Sequence, residues 1–244
     1  HCIMQIIRGD DYQSWIYSHG SILVAVDPWL TSTQTFPVLK WLLYRHSSEQ
    51  AYLIKHHLVQ KVNYLIITAH FSDHLDLESL NQFSLDIAIY TTNAAKETLT
   101  NHGFTNTTVV TPGARYQLGN MELEIFGAGS PYHTSTFAYK ITAGGSSVFH
   151  EPHMINRKLT FNSVDACILT VDEVKVLGLI KVSMSENEAH ATKARLNARY
   201  LLATGIMPSR TKGLITWLLS IAESFNSKSS ILSICNKTGD TLTL

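Results

Sequence analysis

Cysteine is scarce in this 244-residue chain: Cys2, Cys167 and Cys235 are the only three. They are far apart and odd in number, and no Cys-x-x-Cys pair occurs. Neither a zinc knuckle nor a disulfide framework is supported, so a reducing cytoplasm is the expected location. Charge of one sign is also lacking, because 19 basic residues balance 19 acidic ones. With no basic excess, nucleic acid and anionic membrane surfaces are not expected partners. No apolar run approaches the roughly 18–20 residues of a spanning helix. The longest, Leu214 to Ala222, carries a Thr and a Ser. The N-terminus has no basic segment followed by a long apolar one, so no signal peptide is expected. Pro/Gly/Ser linkers, low-complexity tracts and tandem repeats are absent, which favours one continuous domain over residues 1–244.

Apolar residues make up 45% of the chain and charged residues only 16%, enough to build a sizeable core and too little charge for disorder. Histidine is well represented, with 12 residues, several of them clustered. Ser21–Val26 reads as a strand ended by Asp27-Pro28. Pro37–Gln60 carries a helical period, with Ser47-Ser48 as a possible break. Tyr64–Thr68 and Ile87–Tyr90 read as strands, Asp76–Gln82 as a short helix between them. Asn93 is expected to cap a helix running to His102. Thr107–Val110 is a strand. Met121–Phe126, Phe137–Ile141 and Ser147–Phe149 read as an antiparallel meander. Ala166–Val171 is a strand, and Ser185-x-x-Glu188 is a capping box opening a helix to about Arg199. Tyr200–Ala203 is a strand and Lys212–Phe225 a helix. Helices alternating with strands around an antiparallel middle imply a layered α/β (α+β) domain.

The segment richest in chemistry is Thr68-Ala69-His70-Phe71-Ser72-Asp73-His74-Leu75-Asp76. A buried strand ends there, and α/β sheets place ligand sites beyond such strand ends. Imidazole and carboxylate suit zinc, iron or manganese. Alternatively, Asp73 or Asp76 caps the following helix and the histidines lie on the surface.

The run Thr-x-His-x-Ser-Asp-His-Leu-Asp after a strand resembles the metallo-β-lactamase fold superfamily, whose signature is a strand followed by His-x-His-x-Asp-His. Val26-Asp27-Pro28 after an earlier strand also fits. The resemblance covers roughly residues 12 to 225 and implies a four-layer αββα sandwich of two mixed sheets flanked by helices. Val26-Asp27-Pro28-Trp29-Leu30, Ser72-Asp73-His74, His150-Glu151-Pro152-His153 and Thr211-Lys212-Gly213 are most similar to a branch found in plants and cyanobacteria.

The departures from that pattern fall on the metal ligands. Ala69 and Phe71 stand where the two signature histidines belong. His70 sits between them, on the opposite side of an extended segment. Thr204-Gly205 replaces the late histidine, so the usual dinuclear zinc site is not expected. What the resemblance leaves is a remodelled site. It would hold one divalent ion (zinc, iron or manganese) through His74, His133, Glu151 and His153, or none at all. Asp73 is the candidate catalytic residue. Asp27, His70 and Lys212 are candidate substrate or supporting residues, Lys212 through an anion held in the late loop or simply as a solvated cap. The implied activity is hydrolysis of an ester, amide or phosphodiester bond in a small molecule. Two alternatives remain: a metal-free acid–base pair of Asp73 and Glu151 with His74 as shuttle, and a non-catalytic small-molecule or protein binding module.

Overall fold

A computed structural model describes residues 2–31, 33–35, 44–46, 49–171, 174–176, 180–181, 184–205, 219–221 and 235–244. In chain order its elements are β1 (Met4–Arg8), β2 (Trp15–His19), β3 (Ile22–Val26), β4 (Thr33–Thr35), β5 (Tyr44–His46), α1 (Tyr52–Lys55), β6 (Tyr64–Ile67), α2 (Leu77–Leu80), β7 (Ala88–Thr91), α3 (Asn93–Asn101) and β8 (Thr107–Val109). The second half adds β9 (Arg115–Leu118), β10 (Met121–Gly127), β11 (Phe137–Ala143), β12 (Ser146–Glu151), β13 (Val164–Thr170), β14 (Val174–Val176), β15 (Ile180–Lys181), α4 (Glu186–Arg195), β16 (Ala198–Thr204), β17 (Leu219–Ile221) and β18 (Thr241–Thr243).

The strands form a seven-stranded sheet, β18-β1-β2-β3-β6-β7-β8, and a six-stranded sheet, β16-β13-β12-β11-β10-β9. Both are mixed. β3, β6, β7 and β8 run parallel, as do β12, β13 and β16, while the other pairs are antiparallel.

The strand period of two explains how the layers close. On the first sheet Tyr17, Val24, Val26 and Ile66 face inward. They meet Ile125, Tyr139, Ile141, Val148, Ile168 and Leu202 of the second sheet in one buried cluster. Their alternates Ile16, Ala25, Leu65 and Ile67 face outward and pack under Leu53 of α1, Leu80 of α2 and Ala95 and Leu99 of α3. On the second sheet Phe149, Cys167, Leu169 and Leu201 face outward and are covered by Ala189 of α4 and by Leu196 just beyond it. Helix, sheet, sheet, helix is therefore the layer order, as the resemblance implied.

Two helices expected from the sequence are not continuous. Within Pro37–Gln60, Tyr44–His46 is a strand paired antiparallel with Thr33–Thr35, and among the described residues α-helix covers Tyr52–Lys55, followed by a 3-10 turn at Val59–Lys61. Within Lys212–Phe225, Leu219–Ile221 is a strand paired with β14. In both, strand pairing overrides a local helical period, with a segment about ten residues back in the first and with β14 in the second. Much of these two stretches, including Trp41 and Lys212, lies outside the described residues.

The caps follow sequence more closely. Asp76 caps α2, accepting from Ser79 N at 3.0 Å. Thr92, rather than Asn93, caps α3 through Ala95 N. Ser185 caps α4, accepting from Glu188 N at 3.3 Å. α4 ends at Arg195 rather than near Arg199, because Asn197 turns left-handed with φ 50°. Ser185→Ala is expected to cost about 1 kcal/mol, the usual loss of a capping hydroxyl. For a chain of this size that lowers the melting midpoint by about 2–4 °C in a calorimetric scan. No change at all would show that the cap carries no stability.

Arg8, fully buried, ties the far end of the chain to the first sheet. Its guanidinium donates to Ala203 O (2.7 Å), Tyr12 O (2.9 Å) and Cys235 O (3.2 Å) and lies 4.8 Å from the Trp15 ring. Among the described residues no helix is long and apolar enough to cross a membrane.

Candidate active site

The C-terminal ends of parallel strands from both sheets open on one rim, and the candidate residues lie there: Asp27 after β3, Thr68 to His74 after β6, Glu151 at the end of β12 and His153 just beyond it. Asp27 leaves its strand in the left-handed region with φ 45°, a conformation Asp tolerates better than most residues. This places its carboxylate beside the next strand end. Oδ1 accepts from Thr68 N (2.8 Å), and Oδ2 accepts from Thr68 Oγ1 (2.6 Å) and from His74 Nδ1 (2.7 Å). A tight turn brings His74 into range: both His74 N and Leu75 N donate to Phe71 O at 2.9 Å. Because Asp76 caps α2, Asp73 is left for the site.

On its other side His74 meets a second imidazole. His74 Nε2 and His153 Nε2 are 3.0 Å apart. Asp27, His74 and His153 thus form one continuous hydrogen-bonded chain. His74 is held on its acid form. Burial alone would push its pKa down, but Asp73, Asp27 and the hydrogen bond to Asp27 outweigh this and raise it to about 9. His153 is pushed well below the usual histidine range, first by burial and then by the charge of His74. The proton between them therefore belongs to His74 and is donated to a neutral His153.

Around this chain lie several carboxyl and imidazole atoms with no partner. Asp73 Oδ2 is 3.6 Å from His74 Nε2, while its Oδ1 is buried and unpaired. Burial, only partly offset by His74, raises the Asp73 pKa. Glu151 Oε1 accepts from His153 N at 2.9 Å, but Oε2 is unpaired. Burial lifts the Glu151 pKa to about 8, so this side chain is a neutral acid at pH 7. His153 Nδ1 and His150 Nε2 are also buried without partners. Buried polar atoms nearly always find partners in native proteins, so this concentration marks a place built to receive a polar ligand or water.

Behind the rim a second polar chain crosses the inter-sheet core. Tyr17 Oη and Tyr139 Oη are 2.8 Å apart, and Tyr139 Oη is 2.8 Å from His150 Nδ1. Burial and the charge of His74 depress His150 to about 3. Sequence reading missed this network, since neither tyrosine stands near a motif. It also missed Tyr132, whose ring stacks on His153 at 4.3 Å and whose edge faces Phe71 at 6.3 Å.

The remaining candidates sit elsewhere. Ala69 is buried and bridges to Thr136, and His70 is exposed against the Phe71 ring at 4.5 Å. His133 is exposed in a neighbouring hollow. Thr204, at the position of the missing late histidine, is buried and accepts from Trp15 Nε1 at 2.9 Å.

The residues as placed do not fit a resident ion. Among the described residues no group of three or more His, Cys, Asp or Glu side chains is arranged to hold one. Two features account for this: His133 is exposed, outside the cluster, and Glu151 Oε1 turns back to accept from His153 N. The expected cage of His74, His133, Glu151 and His153 is therefore not assembled among the described residues.

This two-sheet sandwich, with its site at the strand ends, defines the metallo-β-lactamase type of fold. A profile described as a beta-lactamase superfamily domain matches residues 10–205, and the chain belongs to that superfamily. Among solved structures, a possible metal-dependent hydrolase from Veillonella parvula DSM 2008 is 15% identical, with 100% of both chains covered and a TM-score of 0.69. An isothiocyanate hydrolase from Delia radicum gut bacteria is 14% identical, with 98% of both chains covered and a TM-score of 0.70. Igni18, a metallo hydrolase from Ignicoccus hospitalis KIN4/I, is 15% identical, with 99% of this chain and 98% of that one covered and a TM-score of 0.65. At these identities the likeness is one of fold. No curated protein sequence matches the chain.

Proposed function

We propose that the chain is a divergent, hydrolase-like member of the superfamily that cleaves an ester, amide or phosphodiester bond in a small molecule. The observation that carries this reading is the continuous Asp27–His74–His153 chain, set among buried carboxyl atoms that lack partners. Hydrolysis needs a group that takes a proton from water and a group that gives one to the leaving atom. Glu151, neutral at pH 7, is suited to giving. Asp73, with Oδ1 unpaired, is suited to taking. The water oxygen bonds to the electrophilic carbon or phosphorus, its proton passes to Asp73, and the Glu151 proton passes to the departing oxygen or nitrogen. His74, whose Nε2 lies close to Asp73 and His153, is placed to return the proton.

The test is a panel of chromogenic esters, anilides and phosphodiesters assayed with protein prepared without chelator or metal-binding tag, its metal content read by plasma mass spectrometry. Glu151→Gln and Asp73→Asn are each expected to lower turnover by about 10²–10⁴-fold, the usual worth of a positioned acid or base. Their circular dichroism should remain unchanged. Full turnover in both variants would remove these residues from the chemistry. About one equivalent of zinc, iron or manganese, lost in His74→Ala, would move the proposal to a metal-assisted route.

A non-catalytic binding module is the second reading. It is favoured by Phe71, which stands where a signature histidine belongs and lies 6.2 Å from the His153 ring and 6.5 Å from the His74 ring. An aromatic wall in place of a ligand suits holding a molecule without cleaving it. Saturable binding of a panel compound with no turnover would select this reading.

A further inference from the structure

The acid–base chain is shut away from solvent. Glu151 is 0% exposed, His74 1%, and Asp73 and His153 8% each. Asp73 Oδ1, Glu151 Oε2 and His153 Nδ1 are buried without partners, so a molecule that is to touch them must first displace something. Two half-buried rings lie outside them, Phe71 and Tyr132. Tyr132 stacks on the His153 ring, with centroids 4.3 Å and planes 29° apart, and meets the Phe71 ring at 6.3 Å and 72°. Phe71 stands 6.2 Å from the His153 ring and 6.5 Å from the His74 ring.

The two rings are held differently. Phe71 O accepts from His74 N and Leu75 N at 2.9 Å, so its backbone belongs to the turn that sets His74. Tyr132 lies on the crossing from β10 to β11. That crossing is pinned at its ends, by Gly129 N donating to Met154 O at 2.7 Å and by the bridge between Ala69 and Thr136. Between them the Tyr132 backbone is bonded within its own turn: its N donates to Gly129 O at 2.8 Å, and its O accepts from Ser135 N and Thr136 N at 3.1 Å. Rotating the Tyr132 side chain to another rotamer breaks none of these bonds. Room for the ring lies beside it, in a hollow of about 470 Å³ lined in part by Ser130 and His133, within the size range of small-molecule pockets.

Turning Tyr132 aside uncovers the face of His153 and the flank of Phe71. Bare aromatic surface in water is unfavourable. The vacated place therefore favours a flat apolar ring, which can stack on one neighbour and meet the other at an angle, as rings prefer. A saturated ring is thicker and has no π face to offer.

We propose that Tyr132 is a displaceable aromatic gate over the acid–base chain, and that an aromatic ring of the small molecule takes its place between His153 and Phe71. This deepens the reading of the rim as a small-molecule site and rests on it, with Phe71 as the fixed wall and Tyr132 as the moving one.

The experiment is an NMR titration of the full chain at pH 7 with benzyl alcohol and cyclohexylmethanol, neutral alcohols of matched size with no bond to hydrolyse. Benzyl alcohol is expected to bind saturably and shift the His153 ring protons, and cyclohexylmethanol to bind about threefold more weakly, the worth of one aromatic pair. Tyr132→Ala removes the competing ring and should tighten benzyl alcohol about threefold, whereas Phe71→Ala should weaken it by about as much. A covering role alone predicts the opposite sign for Tyr132→Ala. Diethyl pyrocarbonate, which acylates neutral imidazole, reads the gate directly by peptide mass spectrometry. In the parent it should modify exposed His70 much faster than His153; Tyr132→Ala should speed His153, and benzyl alcohol should slow it again. Should Tyr132→Ala fail to fold, the two alcohols in the parent and in Phe71→Ala decide. Each of the following overturns the proposal: no saturable binding of benzyl alcohol, equal binding of the two alcohols, a Tyr132→Ala variant that binds benzyl alcohol no more tightly than the parent, or a His153 as reactive as His70 in the parent. Benzyl alcohol binding with no turnover of any ester, anilide or phosphodiester keeps the gate and removes the hydrolase reading. Turnover with equal binding of the two alcohols does the reverse.

Discussion

Replacing Asp27 with alanine is expected to lower stability by about 3–5 kcal/mol, the cost of removing one partner from a buried charged pair. The carboxylate takes three donors: Thr68 N at 2.8 Å, Thr68 Oγ1 at 2.6 Å and His74 Nδ1 at 2.7 Å. Alanine leaves Thr68 N without an acceptor and leaves Thr68 Oγ1 and His74 Nδ1, 3.1 Å apart, with only each other, in a place solvent does not reach. It must also hold φ near 45°, which costs a non-glycine residue more when no polar side chain supports it. The melting midpoint should fall by roughly 10–15 °C.

Asp27→Asn separates charge from hydrogen bonding. It can still accept from Thr68 but does not stabilise an imidazolium, so an intermediate loss is expected, with the His74 pKa falling below its present value of about 9. Imidazole proton shifts in a pH titration by NMR report this directly. Because the folded pKa of His74 is raised, its contribution to stability is fully present below about 6.5, the unfolded value, and is lost as pH rises through about 9. The gap between parent and Asp27→Ala should therefore be widest near pH 6 and narrow above pH 9. A variant within about 1 kcal/mol of the parent at pH 6 would show that Asp27 does not anchor the chain.

What the sequence made legible was local. The strand Tyr64–Ile67, the turn that follows and the cap at Asp76 are contiguous signals, and they place Asp73 and His74 correctly at a strand end. The inward and outward faces of Ile22–Val26 and Tyr64–Ile67 follow from alternation once two sheets are supposed. Partnerships between distant segments were not legible. That Asp27 holds His74, 47 residues on, depends on two strands lying parallel with Val26 beside Ile66. That His153, 79 residues beyond His74, reaches the same point depends on both sheets ending on one rim. The two failed helices have the same cause, since a helical period in Pro37–Gln60 cannot reveal that Tyr44–His46 finds Thr33–Thr35 as a strand partner. Tyr132 had a usable signal: it is an aromatic residue directly before the candidate ligand His133.

The groups at the rim also set how stability depends on pH. His150, depressed to about 3, and His153, lowered well below its usual range, stay neutral in the folded chain. Their contributions are present above about 6.5, the unfolded histidine value, and are lost as pH falls through the folded values. On the alkaline side the signs reverse. His74 at about 9 and Glu151 at about 8 both keep a proton in the folded chain that the unfolded chain gives up earlier. Their contributions are present below the unfolded values, about 6.5 for histidine and 4.5 for glutamate, and are lost as pH rises through 8 and 9.

At pH 7.5 the folded chain thus binds about one and a half more protons at these groups than the unfolded chain, and stability falls as pH rises. Near pH 5 the unfolded chain binds more, because His150 and His153 take up protons only when released, and stability rises with pH. A maximum near pH 6 is expected, with a loss of roughly 2–4 kcal/mol between pH 6.5 and 8. Urea denaturation at pH 4, 5, 6, 7, 8 and 9 measures the curve. Glu151→Gln removes one of the two alkaline protons, so the decline above pH 6.5 should become about half as steep. A flat profile from pH 6 to 8, in both parent and variant, would mean that the rim does not hold these protons. His74 would then not be the charged centre of the site.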